Sequence, residues 1–270
     1  MPGWDCFGNE VEEDADCMKA ILKYPGAKWK IADWVIEHFP EHKVYCEPFF
    51  GSGAVFFRKK PVYIETVNDI DNQIVNLFLA CRDYPEELAR VVNLTPFARA
   101  EFDECYDTDV EDPVERARRI LVRFHQSFGT SNSTKSTWRN VKTSGGPRPE
   151  TVWGYLPESI IECCERLKQA QIENIDAIEL IEQYDREDIL IYCDPPYLQS
   201  IRKKCMYAHE MSEEDHRRLL EVLIKSKSKV VLSGYDNDLY NEMLAEWRTD
   251  EKPTTVQLGK HRTEKLWMNF

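Results

Sequence analysis

The sequence predicts an α/β fold in which an open, mostly parallel sheet is interrupted by a mainly helical insertion. Three observations predict it. A strand, a glycine turn, a helical segment and a second strand follow one another between residues 43 and 69. Strand signals return at 172–174, 189–193 and 229–233, with a helical pattern between each. The stretch separating these two groups carries helical periodicity and a polar Ser/Thr/Gly-rich loop, with no obvious strand.

Taken in order, residues 1–17 hold Asp5, Glu10, Glu12, Glu13, Asp14 and Asp16 with little apolar patterning, so an acidic flexible extension is expected before a domain that begins near Met18. A helix is expected after Gly26, where Trp29, Ile31, Trp34, Val35 and Ile36 share a face until Pro40 stops it. Residues 43–48 read as a short buried strand, Gly51-Ser52-Gly53 as a turn and 54–58 as helical. A second strand over 62–67 ends at Asn68-Asp69. Helices are expected over 71–82 and 157–169, and a terminal strand pair over 254–258 and 264–270. The domain is then formed by 18–82 and 165–270, with 83–164 inserted. No internal repeat or low-complexity tract is present.

A chain of 270 residues with 42% hydrophobic content supports a substantial core. No apolar run reaches the roughly 18 residues of a membrane span, and the acidic first residues do not read as a secretory leader, so a cytoplasmic protein is expected. Nine cysteines without a C-x-x-C pair predict reduced thiols rather than a zinc site. His38 and His42 are four apart, but Pro40 breaks the helix that would align them, and no metal is expected. The net charge of −13 argues, as an average, against a polyanionic partner. From Val114 to Arg148, however, eight basic residues face one acid, giving +7 there and −20 elsewhere. Taken alone, that segment is equally compatible with a solvated basic helix face.

Two constellations carry chemistry. Glu47-Pro48-Phe49-Phe50-Gly51-Ser52-Gly53 follows a strand, and Asp69 ends the next. Glycines let backbone approach a ligand, and an acid at a strand tip accepts both hydroxyls of a ribose. A dinucleotide fingerprint would need a third glycine where Phe56 stands. The second is Asp194-Pro195-Pro196-Tyr197, directly after the apolar strand 189–193. Ligands of open α/β sheets bind beyond the carboxyl ends of strands, which puts both constellations on one rim. Two prolines fix the backbone and donate nothing, so the loop is a rigid array of acceptors. Such an array suits a planar amine whose lone pair is delocalised: acceptors that hold both N–H groups favour a tetrahedral, nucleophilic nitrogen. Asp194 and the Pro195 carbonyl fill that role, and Tyr197 is a surface for stacking a base swung out of a duplex. Ser233-Gly234-Tyr235-Asp236 reads equally as a pocket wall or as a loop with a buried tyrosine.

Lys23-Tyr24-Pro25-Gly26-Ala27-Lys28, the glycine motif, Asn68-Asp69-Ile70-Asp71 and Asp194-Pro195-Pro196-Tyr197 together resemble, in order and spacing, the Dam-like, alpha-class N6-adenine DNA methyltransferases. The resemblance covers about residues 18–270 and is weakest through the insertion. It implies a Rossmann-like seven-stranded methyltransferase sheet, S-adenosyl-L-methionine as cofactor and double-stranded DNA with a flipped adenine as substrate. Carried over residue by residue, it implies a cofactor site of Tyr24, Gly26, Lys28, Glu47, Pro48, Phe49, Gly51, Ser52, Gly53, Asp69, Ile70 and Asp194, with Ile175 and Asp176 flanking the cofactor adenine. Gly51 to Gly53 would pass beside the methionine part, Asp69 would hold the ribose, and Asp194 would lie between cofactor and amine. The family usually has two glycines before the lysine, whereas Ala27 follows Gly26 here.

The resemblance also makes 83–164 the target-recognition region, which is where the basic segment falls. Lys23, Arg123, Lys135, Arg139 and Lys142 are then candidates for DNA contact, Trp138 for stacking, and Arg202 and Lys203 for phosphate contact beside the active site. A restriction enzyme partner is compatible with it. The residues themselves leave other acceptors open, RNA adenine or a protein glutamine, and also a non-catalytic DNA-binding module of this fold. Asp194 and the basic insertion favour DNA adenine.

Overall fold

A computed structural model describes residues 3–4, 10–11, 18–107, 109–129, 135–140, 148–201, 206–256 and 260–270. Gly3–Trp4 pairs antiparallel with Glu10–Val11. The remainder of the acidic extension expected over 1–17 lies outside the described residues.

Seven strands form one sheet: β1 (Val44–Glu47), β2 (Ile64–Asn68), β3 (Gln171–Glu173), β4 (Ile189–Cys193), β5 (Lys229–Tyr235), β6 (Arg248–Val256) and β7 (Lys260–Met268), in the order β3-β2-β1-β4-β5-β7-β6. The first five are mutually parallel, and β7 runs antiparallel to both β5 and β6. This is the expected seven-stranded Rossmann-like arrangement. The order reverses between β1 and β4, the topological position at which open α/β sheets bind ligands beyond the carboxyl ends of their strands. β1 and β4 are buried along their whole length, as strands covered on both faces must be. Alternation sends Cys46, Ile191, Cys193, Val230 and Leu232 into one apolar cluster. Tyr45 and Tyr192 meet Phe39, with ring centroids 5.9 and 5.8 Å away.

The chain divides into two compact units. One comprises residues 31–50, 59–70 and 171–270. It contains the sheet with α1 (Ala32–Glu37), and, further along the chain, three helices over residues 177–183, 213–225 and 238–243. The other comprises 1–30, 51–58 and 71–170 and is helical: α2 (Ala54–Arg58), α3 (Asn72–Asp83), α4 (Pro85–Leu94), α5 (Arg99–Glu104), α6 (Pro113–Gln126) and α7 (Pro149–Leu167). The remaining three are α8 (Ala177–Gln183), α9 (Glu213–Lys225) and α10 (Asp238–Met243). No helix among the described residues is long and apolar enough to cross a membrane. Cys46, Cys81, Cys105, Cys163, Cys164 and Cys193 are buried free thiols.

Several elements depart from the sequence expectation for identifiable reasons. α1 is shorter than its apolar face suggests: residues 29–31 form a turn, and the helix ends before Pro40, where the His38 ring bonds the Trp34 carbonyl at 2.7 Å. α7 starts at Pro149, two turns before the expected 157, and runs through Pro157. Trp153, Leu156, Ile160, Cys163 and Leu167 bury one face, and the Trp153 indole donates to the Thr95 carbonyl at 2.9 Å. That burial outweighs the proline's missing hydrogen bond. The terminal strands are longer than expected, β6 starting at Arg248 and β7 at Lys260, because ladder pairing carries polar residues into strands.

Candidate active site

In the sheet unit, the three loops leaving β1, β2 and β3 are tied together by one side chain. Asn68 ends β2 and is buried at 1% exposure. Its amide donates to the carbonyls of Pro48 (3.0 Å) and Ile175 (3.1 Å), and its oxygen accepts from Ile175 N–H (2.9 Å). Its own carbonyl accepts from Phe50 N–H at 2.8 Å. The Asp69 carbonyl accepts from Asn174 at 2.7 Å, which leaves Asp69 half-buried and Ile70 exposed at the tip of β2. Asp176 caps α8, accepting from Ile178 N–H (2.9 Å) and Glu179 N–H (3.3 Å). Asn68 entered the sequence reading only as part of a motif; its clamping role depends on a partner 107 residues away.

Glu47 ends β1 with its carboxyl buried beside the Tyr45 hydroxyl, which donates to it at 2.6 Å. Burial, reinforced by the charges of Asp194 and Glu65, pushes the Glu47 carboxyl up to about 8 against the opposing pull of Tyr45 and Lys59. Behind it, the Lys59 ammonium pairs with Glu65 inside the core and lies 4.4 Å from the centre of the Tyr45 ring.

Asp194 follows β4, half-buried, with Pro195 and Tyr197 buried and Pro196 intermediate. The Ser233 hydroxyl donates to Asp194 Oδ1 at 3.0 Å. The Tyr197 hydroxyl donates to Glu264 of β7, and its ring packs edge-on to Tyr235 at 4.5 Å between centroids. The Arg262 guanidinium lies 5.2 Å from the Tyr235 ring centre. Glu264 was invisible in the sequence because β7 pairs with β5, whereas Tyr197 lies in the loop that follows β4.

In the helical unit, Gly51 and Gly53 adopt left-handed φ of 50° and 67°. A Cβ on Gly51 would come within 3.1 Å of Tyr24 Cδ1, so backbone and ring approach as only glycine permits. Lys28 is buried and donates to the Gly26 carbonyl at 3.0 Å. Ser52 is buried as well. Phe56, where a dinucleotide fingerprint would have glycine, packs under the Arg166 guanidinium at 3.8 Å. That position therefore serves packing.

The basic run is less positive in space than along the chain. Arg118 pairs with Glu101 and Glu115, both at 2.6 Å, and Arg119 with Glu115 at 2.8 Å and Asp107 at 3.5 Å. Lys135 lies 3.7 Å from Asp103 and Arg148 2.6 Å from Glu150. Four of these acids lie outside the window that defined the run. Arg139 differs: burial alone lowers its pKa, and no acid pairs with it among the described residues. Arg123 stacks over Tyr106 at 5.1 Å. Trp138 sits between Phe97 (6.0 Å) and the Arg99 guanidinium (4.8 Å), and its indole reaches Gln126 at 3.4 Å.

Trp138 also forms an isolated antiparallel bridge with Ser127, the residue that follows α6. Phe128, 75% exposed, and Gly129, at φ 110°, follow Ser127 directly. The one signal for Phe128 in the sequence is an aromatic followed directly by glycine. Lys23 is buried, close enough to His125 to help depress that imidazole, although burial is the larger cause. Lys142, Arg202 and Lys203 lie outside the described residues. His38 and His42 are engaged locally, by Asp250 and by the Pro40 carbonyl.

Comparison with known proteins follows the same lines. The model of the D12 class N6 adenine-specific DNA methyltransferases matches residues 24–257. The type II methyltransferase M1.LlaDCHI of Lactococcus lactis subsp. cremoris is 26% identical over 269 residues, covering 93% of each chain. DNA adenine methylases of Salmonella typhi and Escherichia coli K12 are 24% and 22% identical, with 83% of each chain covered in both cases.

Proposed function

The chain belongs to the D12 class N6 adenine-specific DNA methyltransferase family, and on that premise we propose that Asp194 to Tyr197 present the N6 amine of a flipped adenine for methylation by S-adenosylmethionine. The activity is methyl transfer to adenine in DNA. The observation that carries the proposed site is topological: Asp194 leaves β4 next to β1, at the reversal of strand order where open α/β sheets bind their ligands.

The residues fit the cofactor in kind. Asp69, half-buried at the tip of β2 on a backbone locked by Asn68, suits the two hydroxyls of a ribose. Gly51 and Gly53, in left-handed conformations without side chains, suit close approach to the methionine part, with Tyr24 packed against Gly51. Glu47, Pro48 and Phe49 continue from β1, and Ile70, Ile175 and Asp176 border the clamp made by Asn68. When bound, S-adenosylmethionine supplies an electrophilic methyl group on a sulfonium.

The protein's contribution is orientation. Asp194 and the Pro195 carbonyl accept the two N–H bonds of N6, drawing the nitrogen out of conjugation so that its lone pair is available. No protein nucleophile takes part. Tyr197, held by Glu264 and Tyr235, stacks on the extruded base. Excluding water from these acceptors strengthens each hydrogen bond and removes reorganisation at the moment of transfer. In the insertion, Arg139 and the exposed Phe128 are the side chains best suited to DNA: a guanidinium with no acid paired to it among the described residues, and an exposed aromatic just past α6. Lys23, Arg123, Lys135 and Trp138 give secondary support, and Lys142, Arg202 and Lys203 are assigned to DNA on charge alone.

The test is methyl transfer by the purified protein from radiolabelled S-adenosylmethionine to duplex DNA, RNA and protein in parallel. Label on adenine of duplex DNA is expected. Label only on RNA or protein, or cofactor binding without transfer to any acceptor, would overturn the proposal.

A further inference from the structure

Two buried hydroxyls sit behind Asp194 and are unused by the mechanism above. Ser233 is fully buried on β5, and Tyr192, 1% exposed, is on β4. β4 and β5 are parallel neighbours in which Cys193 lies opposite Leu232, so the register brings the next residues, Asp194 and Ser233, side by side. Ser233 Oγ is 3.0 Å from Asp194 Oδ1, 3.1 Å from the Tyr192 hydroxyl and 3.5 Å from the Cys193 carbonyl. Ser233 has one proton to give, and the carboxylate is the nearer and stronger acceptor. The Ser233 oxygen is then left to accept, which requires the Tyr192 hydroxyl to donate to it. The chain therefore has one direction, from Tyr192 O–H to Ser233 O–H to Asp194 Oδ1.

The need for such a chain lies in the aspartate itself. The terminal torsion of a carboxylate side chain is broad, so neither the strand before Asp194 nor the proline after it fixes the plane of the two oxygens. An external donor does so, provided its own hydroxyl rotor is fixed in turn. Ser233 is that donor, and Tyr192, whose ring is wedged against Phe39 at 5.8 Å, fixes the rotor from the core. We infer that Ser233 and Tyr192 are positioning residues for methyl transfer: acting only through Oδ1 of Asp194, they set the plane in which its carboxylate meets the target amine before substrate arrives. The inference rests on the reading of Asp194 as the amine's acceptor.

The experiment compares Asp194→Ala, Ser233→Ala, Tyr192→Phe and the double variant Tyr192→Phe/Ser233→Ala in the full chain. It measures the single-turnover transfer rate at saturating S-adenosylmethionine and duplex DNA, the affinity for each, and the thermal midpoint. Ser233→Ala is expected to slow transfer by about 10- to 100-fold, the range of a lost buried hydrogen bond to a charged group, with both affinities within twofold of the parent. Tyr192→Phe is expected to slow it less, and the double variant no more than Ser233→Ala alone, because Tyr192 acts through Ser233.

Rate losses that multiply in the double variant, or that track weakened cofactor or DNA binding, would overturn the relay. So would an unchanged rate in Ser233→Ala while Asp194→Ala is inactive. Undiminished transfer in Asp194→Ala would instead remove the acceptor role on which the inference rests. If Ser233→Ala fails to fold because it strands the Tyr192 hydroxyl, Tyr192→Phe and the double variant, which strand no donor, decide the matter: slowing in both, larger in the double variant, supports the relay and unchanged rates overturn it.

Discussion

Replacing Glu47 with glutamine tests how far the buried end of β1 departs from an ordinary carboxylate site. The substitution keeps shape and an oxygen to accept from Tyr45, 2.6 Å away in the parent, but removes the titration. Burial raises the Glu47 carboxyl from 4.5 to about 8. The folded protein therefore holds a proton that the unfolded chain releases across that window. Glu47 contributes stability that is fully present below pH 4.5 and is lost as pH rises towards 8. A shift of this size corresponds to about 5 kcal/mol as a ceiling, at roughly 1.4 kcal/mol per pH unit.

The prediction is that Glu47→Gln gains relative to the parent as pH rises, by about 2 to 5 kcal/mol between pH 5 and 8.5. Urea denaturation of both proteins at half-unit intervals measures it. A stability difference that stays constant across this range would show that Glu47 titrates like an exposed glutamate, and would refute the burial argument.

Other substitutions probe separate parts of the account. Asp69→Asn should weaken S-adenosylmethionine binding by about tenfold or more, through loss of charge-assisted hydrogen bonds to the ribose, while DNA affinity stays within twofold; calorimetry with each ligand separates the two. Gly51→Ala places a side chain at φ 50°, 3.1 Å from the Tyr24 ring, and should lower unfolding stability by about 1 to 2 kcal/mol and cofactor affinity with it. An alanine variant as stable as the parent would contradict the close approach. Arg139→Ala should weaken DNA binding and lower the dependence of log affinity on log salt by about one ion; an unchanged salt slope would remove Arg139 from the phosphate contacts.

What the sequence made legible was local. The strand 189–193, the helical turn 54–58 and the stop at Asn68-Asp69 follow from apolar runs bounded by Gly, Pro and Asn, and Asp71 caps α3 by accepting from Gln73 N–H at 2.9 Å. What escaped acts across distance in the chain. Ser233 reaches Asp194 over 39 residues, Glu264 reaches Tyr197 over 67 and Asn68 reaches Ile175 over 107, through register and crossover connections that periodicity does not encode. The basic window from Val114 to Arg148 misses acids for the same reason: Glu101, Asp103 and Asp107 lie upstream, yet pair with its arginines and lysine. Local rules start α7 at Pro157, because a proline outranks packing in them, whereas its buried face carries the helix back to Pro149 in the fold.

The central claim, that Asp194 prepares the adenine amine, is tested most directly by product analysis. Duplex DNA free of methylation is treated with S-adenosylmethionine and either the parent or Asp194→Ala, digested to nucleosides and resolved by mass spectrometry. The parent should yield N6-methyladenine, and the variant about 100-fold less or lower while still binding DNA. N6-methyladenine formed equally by Asp194→Ala would contradict the account.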